Sequence, residues 1–300
     1  MRLSVAVIAR DEERHLGGCL ASVAGLADEL LVLLDSRTRD GSAAIAARHG
    51  AIVRSAPWRG FSAQRNLALA SCRGEWVLFL DADERVPPDL AAEIRHAIAQ
   101  GTPNAGYWIP RHNLFFGRAL RGGGWYPDPQ LRLLRRGAAR YDEGRLVHEQ
   151  AELDGPAGVL QGHLEHLNIE SLAELWAKQS VYALAEARIL YAVGRRTRLR
   201  NFLGAPAREL WRRYVRLGGW RDGALGLFLC ATLAWFEVIK FAFLATLAAS
   251  TNAKGALRPP LAHTRTAGPP PRRRPARRSP TPHEHPRSSG SGSRRASRRG

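Results

Sequence analysis

Cysteine is scarce in this chain. Its 300 residues hold three, Cys19, Cys72 and Cys230, far apart and without Cys-x-x-Cys spacing. That excludes a disulfide framework and a cysteine-based zinc site, and it fits a reducing cytosol. Lysine is as scarce, with only Lys178, Lys240 and Lys254. The bias runs through the whole chain, so it reflects coding composition rather than a choice of arginine at one site. The start does not read as a leader. Met1-Arg2-Leu3-Ser4-Val5-Ala6-Val7-Ile8-Ala9 is too short and too soon charged for a signal peptide and is expected to be the first strand. The stretch 258–300 nearly lacks large apolar residues. It carries twelve arginines against one glutamate, so eleven of the formal +18 charges lie there. Rich in Pro, Ser and Gly, it is expected to be a disordered tail. A flexible polycation attracts nucleic acid by counterion release. The plainer expectation is a solvated tail that touches anionic lipid or nothing, with no specific nucleic-acid partner.

What is present is a core. Apolar residues make up 45% of the chain. From residue 3 to about 100, short apolar runs alternate with helical patterns. Runs at 3–9, 30–34, 51–53 and 76–80 read as strands, and the segments between them as helices, with Leu16, Leu20 and Val23 at helical spacing in the first. Pro87-Pro88 opens a further helix. Such alternation predicts an α/β fold, a mostly parallel sheet with helices on both faces. Residues 105–165 change character, with strands at 106–111 and 131–135 and loops at Gly122-Gly123-Gly124 and Tyr126-Pro127-Asp128-Pro129. We expect the acceptor side of a site there. A helix follows from Ser171 to about Tyr191, opened by a capping box in which Glu174 answers Ser171.

Residues 223–249 are apolar and long enough to cross a bilayer, but Glu237 and Lys240 interrupt them. A charge near a helix centre costs about 2.5–3.5 kcal/mol on insertion scales, which argues against a simple lipid-exposed span. The two lie one turn apart and are placed to pair. Just upstream, Arg208, Arg212, Arg213, Arg216 and Arg221 interleave with Trp211, Tyr214 and Trp220, a mixture that suits a headgroup interface. The expectation is in-plane or partial insertion. The plainer alternative is a buried helix packed on the α/β half. Three segments result: 1–165 as the α/β domain, 166–250 as a membrane-associating helical region, and 251–300 as the tail.

The chemistry sits at strand ends. Strand one runs into Ala9-Arg10-Asp11-Glu12-Glu13, strand two into Asp35-Ser36-Arg37-Thr38-Arg39-Asp40-Gly41-Ser42, and strand four into Asp81-Ala82-Asp83-Glu84. The C-terminal ends of parallel strands are where open α/β sheets bind ligands, so these acids should converge on one crevice. Asp81 and Asp83, two apart, are expected to point to the same side of an extended backbone. Carboxylates there can hold a hard divalent cation, and the cation a diphosphate. A solvated turn after a strand explains the same pair. Asp35 can accept from a base N–H or a ribose hydroxyl, or it can cap a turn, a role that suits Asp40 better. Arg65, near the start of a helix, is placed to meet a diphosphate.

These residues, together with Pro57-Trp58, Gly60-Phe61, Gln64-Arg65-Asn66, Gly123-Gly124-Trp125-Tyr126-Pro127-Asp128, Leu131-Arg132-Leu133 and Arg145-Leu146-Val147-His148-Glu149, resemble the family 2 glycosyltransferases of the GT-A (Rossmann-like) fold. The resemblance is to the subgroup of lipopolysaccharide-core β-glucosyltransferases. It spans about 5–150 and extends through the helical region to about 245. Two positions depart from the pattern: Asp11 stands where Asn is usual, and Arg37 where a small Gly is usual. The resemblance implies transfer of a sugar, with inversion, from a nucleotide sugar such as a UDP-hexose to a glycan or lipid-linked glycan at the cytoplasmic face of the inner membrane. It implies that Ala9, Glu12, Asp35, Arg65, Asp81 and Asp83 bind the donor and that Asp83 holds Mg2+ or Mn2+. His148 would complete the metal site, although a lone histidine is more often structural. Inversion needs one base to deprotonate the acceptor hydroxyl. Asp128 is the candidate and Glu149 the second, against a plain Pro-Asp-Pro turn. Two alternatives stay open: a non-catalytic membrane-bound scaffold with a degenerate transferase domain, and a nucleotidyltransferase.

Overall fold

In the computed structural model, which describes residues 2–144 and 150–256, the first eighty residues alternate as the apolar runs predict. The order is β1 (Leu3–Ala9), α1 (Leu16–Ser22), β2 (Glu29–Asp35), α2 (Ser42–Arg48), β3 (Ile52–Ala56), α3 (Phe61–Ser71) and β4 (Trp76–Leu80). Then follow β5 (Glu84–Arg85), α4 (Pro88–Ala99), β6 (Gly106–Ile109), β7 (Arg111–Phe115), β8 (Arg118–Ala119), β9 (Gln130–Arg135), β10 (Ala139–Tyr141), β11 (Ala151–Leu153), β12 (Ala157–Val159) and β13 (Leu164–Ile169). The seven-stranded main sheet has the order β12-β6-β9-β4-β1-β2-β3. β1, β2, β3 and β4 are mutually parallel, and β9 enters antiparallel to both β4 and β6. A smaller sheet, β5-β13-β7-β8, stands beside it.

Alternation along the central strands divides the core. Leu3, Val5 and Val7 of β1 and Trp76, Leu78 and Leu80 of β4 pack on one face with Leu16, Leu20, Leu90 and Ile94 of α1 and α4. Ala6, Val77 and Phe79 point the other way, onto Ala68 and Leu69 of α3. Period-two alternation under an all-apolar run is what places helices on both faces. The register seats Ala9 opposite Leu34, so the ends of β1 and β2 are level and open into the same crevice as the end of β4.

The C-terminal helices are α5 (Leu172–Ala192), α6 (Asn201–Leu210) and α7 (Gly223–Ala256). Ser171 caps α5 through its Oγ to the Glu174 N–H at 3.1 Å, the expected cap. The basic-aromatic stretch 208–221 is not one helix: α6 passes into a π-helical turn, Trp211–Arg216, then into a 3-10 turn, Gly219–Asp222. Gly218 breaks it, with a left-handed φ of 69°. α7 is not isolated. Its Leu229 shares a core with Phe115, Leu120, Ile169 and Leu175. Lys240 pairs with Glu237, as expected, and also with Glu186 of α5 at 3.0 Å. A third of its most apolar window is buried, and the rest is half-buried or exposed. Residues up to Ala256 form one compact unit.

Candidate active site

β4 delivers Asp81 to the crevice, but the backbone is not extended beyond it. Asp81 O accepts the Glu84 N–H at 2.9 Å, closing a turn over 81–84. The two aspartates therefore take different partners instead of sharing one face. Asp81 receives both Nη atoms of Arg132, with Arg65 Nη2 4.0 Å away. Asp83 Oδ2 lies 3.1 Å from His166 Nε2.

Arg132 lies between Leu131 and Leu133 in β9 and is only 2% exposed. Its Nη2 also donates to Glu84 Oε1 at 2.9 Å, and Arg111 Nη1 donates to the same oxygen at 2.9 Å. Arg111 then turns its Nε and Nη2 on Asp128 Oδ2, at 2.8 and 2.6 Å. Asn113 adds a third donor to that oxygen at 3.0 Å, and Gln130 Nε2 donates to Oδ1 at 2.7 Å. Carboxylates and guanidiniums thus alternate from Asp81 to Asp128, with Glu84 and Arg132 buried between the half-exposed ends. Burial works against the charge of both aspartates. For Asp81 the Arg132 guanidinium, and for Asp128 the Asn113 amide and Arg111, outweigh it and hold the carboxyl below its usual range.

The rim of the crevice is different. Glu12, just past β1, is pushed from 4.5 to about 7, first by burial and then by Asp83, Asp40, Asp81 and Asp11. Of these neighbours Asp81 is met by Arg132, Asp83 by His166 and Asp11 by Arg10 at 3.5 Å, while Glu12 itself has no cationic partner among the described residues. Asp40 does act as a cap: its Oδ1 accepts from the Ser42 N–H at 3.0 Å and its Oδ2 from the Glu13 N–H at 2.8 Å. Asp11 has φ 53°, a left-handed conformation that Asp and Asn both tolerate, so Asp in place of the usual Asn preserves the loop. Asp35 is closed over by Arg37, whose Nε and Nη2 reach its carboxylate at 3.1 and 2.7 Å. That pairing lowers Asp35 to about 2. Arg37 is thus a partner of Asp35 and not merely bulk beside it.

The structure brings Ala9, Glu12, Asp35, Arg65, Asp81 and Asp83 to the ends of β1, β2 and β4 and the start of α3, with Asp128 beside them through Arg111. His148 and Glu149 lie outside the described residues. Among the described residues no group of three or more His, Cys, Asp or Glu is close enough to form a metal cage. Sequence reasoning missed Arg111, Arg132, Asn113 and His166. For Arg132 a signal existed, a charge between leucines in an otherwise apolar strand. His166 is fixed by Asn113. The Asn113 amide nitrogen donates to Trp125 O and to Asp128, so its Oδ1 accepts from His166 Nδ1 at 2.6 Å. His166 Nε2 lies 3.1 Å from Asp83 Oδ2, and this hydrogen bond outweighs burial in holding the Asp83 carboxyl below its usual range.

The sheet order, the acidic strand ends and the turn after β4 define a nucleotide-type crevice of the glycosyltransferase class. Comparison with known proteins agrees. Residues 4–144 match the family model "Glycosyl transferase family 2". The chain is 30% identical over 243 residues to the lipopolysaccharide core biosynthesis glycosyltransferase LpsC of Rhizobium meliloti, covering 79% of this chain and 89% of the relative. A TPR repeat-containing protein of Synechococcus elongatus is 43% identical over 100 residues, 33% of this chain and only 25% of that protein. The crystal structure of S. aureus TarS 1-349 in complex with UDP-GlcNAc aligns over 85% of this chain and 92% of that one, at 14% identity and a TM-score of 0.44. The protein belongs to glycosyltransferase family 2.

Proposed function

We propose that the enzyme transfers a sugar, with inversion, from a nucleoside-diphosphate sugar, a UDP-hexose by preference, to a hydroxyl of a glycan or lipid-linked glycan of the lipopolysaccharide-core type. The surplus of carboxylates around Glu12 is the observation that carries this reading. Glu12 is pushed up by burial and then by Asp83, Asp40, Asp81 and Asp11, a perturbation of the kind that ligand-binding crevices carry and that a bound cation would relieve. Asp83 and His166, whose Oδ2 and Nε2 lie 3.1 Å apart, are the residues that would hold Mg2+ or Mn2+, the ion replacing the hydrogen bond between them. When bound, the ion would supply charge neutralisation to the departing diphosphate. Arg65 is placed to take a phosphate oxygen, and Asp35 to accept from base or ribose once Arg37 yields. Asp128 is the proposed base. Its Oδ2 is filled by three donors, whereas Oδ1 takes only Gln130 and keeps a lone pair for the acceptor hydroxyl.

The test is a panel of nucleotide sugars with Mg2+ or Mn2+, scored for nucleoside diphosphate release. EDTA and Asp83→Asn should each reduce turnover by about two orders of magnitude or more without changing the thermal midpoint, because Asp83 contributes little to the core. Full turnover in EDTA would overturn the metal's role. Release of pyrophosphate would indicate a nucleotidyltransferase, and no release with any donor a scaffold.

We also propose that the helical region meets the cytoplasmic face of the inner membrane. Trp211, Trp220, Leu227, Phe228 and Trp235 are exposed, and arginines flank them. Each surface arginine adds about 1 kcal/mol on anionic lipid, whereas apolar burial adds roughly 25 cal/mol per Å2 over a long helix face. The apolar contribution should dominate, so detergent, and not high salt, should release the protein from membranes. Release by salt alone would mean that α7 packs only within the protein.

A further inference from the structure

Beyond Asp128 the chain builds a second polar site. Two adjoining cavities, of about 500 and about 470 Å3, share His112, Arg121 and Arg221. Each is of the size that takes a small ligand. Arg118 lines the first, and Tyr126 with Pro127 lines the second. Tyr126 and Pro127 immediately precede Asp128, so the second cavity borders the loop that carries the proposed base.

Their charge is one-sided. The acid in the lining, Asp222, is already spent: Oδ1 accepts the Arg121 N–H at 2.7 Å and Oδ2 the Gly122 N–H at 2.9 Å. Among the described residues no carboxylate pairs with Arg118, Arg121 or Arg221. Arg221 lies over the Trp220 ring at 5.6 Å. One wall is aromatic. His112 stacks on His163, centroids 4.1 Å apart and 15° between planes, and His163 Nε2 is 3.0 Å from the Tyr126 hydroxyl. Burial, then His163 and Arg121, hold His112 below its usual value, as expected in a positive field. Guanidinium forks select phosphate and carboxylate oxygens, and ring faces take the apolar side of a sugar.

We propose that this is an acceptor subsite for an anionic sugar, one bearing a phosphate or a carboxylate, held by Arg121 and Arg221 beside the loop that carries Asp128. The proposal rests on the transferase reading above and adds the chemical class of the acceptor.

The test uses the full-length chain with UDP and Mn2+ saturating, so that the donor crevice is filled. Glucose 6-phosphate, glucuronate, glucose and inorganic phosphate are titrated separately, with binding followed by tryptophan fluorescence, since Trp125 and Trp220 flank the site. One of the two charged sugars should bind at least about ten-fold tighter than glucose, and which one does so distinguishes phosphate from carboxylate. In R121Q/R221Q that affinity should fall by about ten-fold or more while UDP affinity holds. R121Q and R221Q singly, both at exposed side chains, carry the same test should the double variant melt early. Equal affinity for glucose and both charged sugars would overturn the proposal. So would indifference to the arginine replacements, or inorganic phosphate binding as tightly as either charged sugar. Failure of UDP to bind at the outset would instead overturn the donor reading.

Discussion

The floor and the rim of the crevice handle charge in opposite ways. In the floor, the carboxylates of Asp81, Glu84 and Asp128 are bridged by the guanidiniums of Arg132 and Arg111 at charge-assisted hydrogen-bond distances, with Arg65 4.0 Å from Asp81. At the rim, Glu12 is pushed up to about 7 by burial and by four neighbouring acids, so it is about half protonated near neutrality. The first arrangement holds side chains in place without a ligand. The second keeps a surplus of negative charge, which is what the proposed cation would answer. The same distinction separates the floor from the arginine-lined cavity beyond Asp128, where the surplus has the opposite sign.

This contrast can be broken by mutation. The largest effect should come from the floor. Arg132→Leu would leave Glu84, fully buried, with Arg111 as its one remaining guanidinium. Removing one partner of a buried pair costs about 3 kcal/mol or more. At this chain length that lowers the midpoint by roughly 6–12 °C. A variant as stable as the wild type in urea and thermal melts would mean that the floor is not structural. The smaller effect should come from the rim and should have the opposite sign. Glu12 has its folded pKa raised from 4.5 to about 7, so the folded state binds more protons than the unfolded between those values. The stability this confers is complete below pH 4.5 and is lost as pH rises through 7. Glu12→Gln should therefore match the wild type at pH 4 and exceed it at pH 8. Screening of the half-buried side chain limits the gain to about 1 kcal/mol, or roughly 2–4 °C. Melts at the two pH values, without nucleotide or metal, decide it. Equal curves at pH 8 would remove the rim's imbalance and sharpen the case for the floor alone.

The strands and the acids at their ends were legible because both are local. A buried parallel strand is written as an unbroken apolar run, and Asp35 and Asp81 follow directly from β2 and β4. The partners of those acids were not legible. Arg132, Arg111 and His166 come from β9, β7 and β13, and they meet Asp81, Glu84 and Asp83 across 27 to 83 residues of chain. Nothing in a local pattern encodes such pairing. The turn at 81–84 was hidden for a related reason: its acids look alike in sequence, and only their partners show that they diverge. In the stretch 208–221 the mixture of arginines and aromatics was legible, but not where the chain turns. Gly218, left-handed, was the stop signal within it.

Gly122 sits flat against the backbone of Gly218, with no space there for a Cβ. Gly123 donates its N–H to Leu217 O at 2.8 Å, and Arg213 reaches Gly123 O at 2.8 Å. The loop that carries Tyr126, Pro127 and Asp128 is thus moulded on the helical region. A chimera that borrowed the helices of one relative and kept the catalytic loop of another would bring mismatched moulds together. Exchange of acceptor preference between such enzymes should succeed only when the glycine loop and the turn at Gly218 are transplanted as a matched pair.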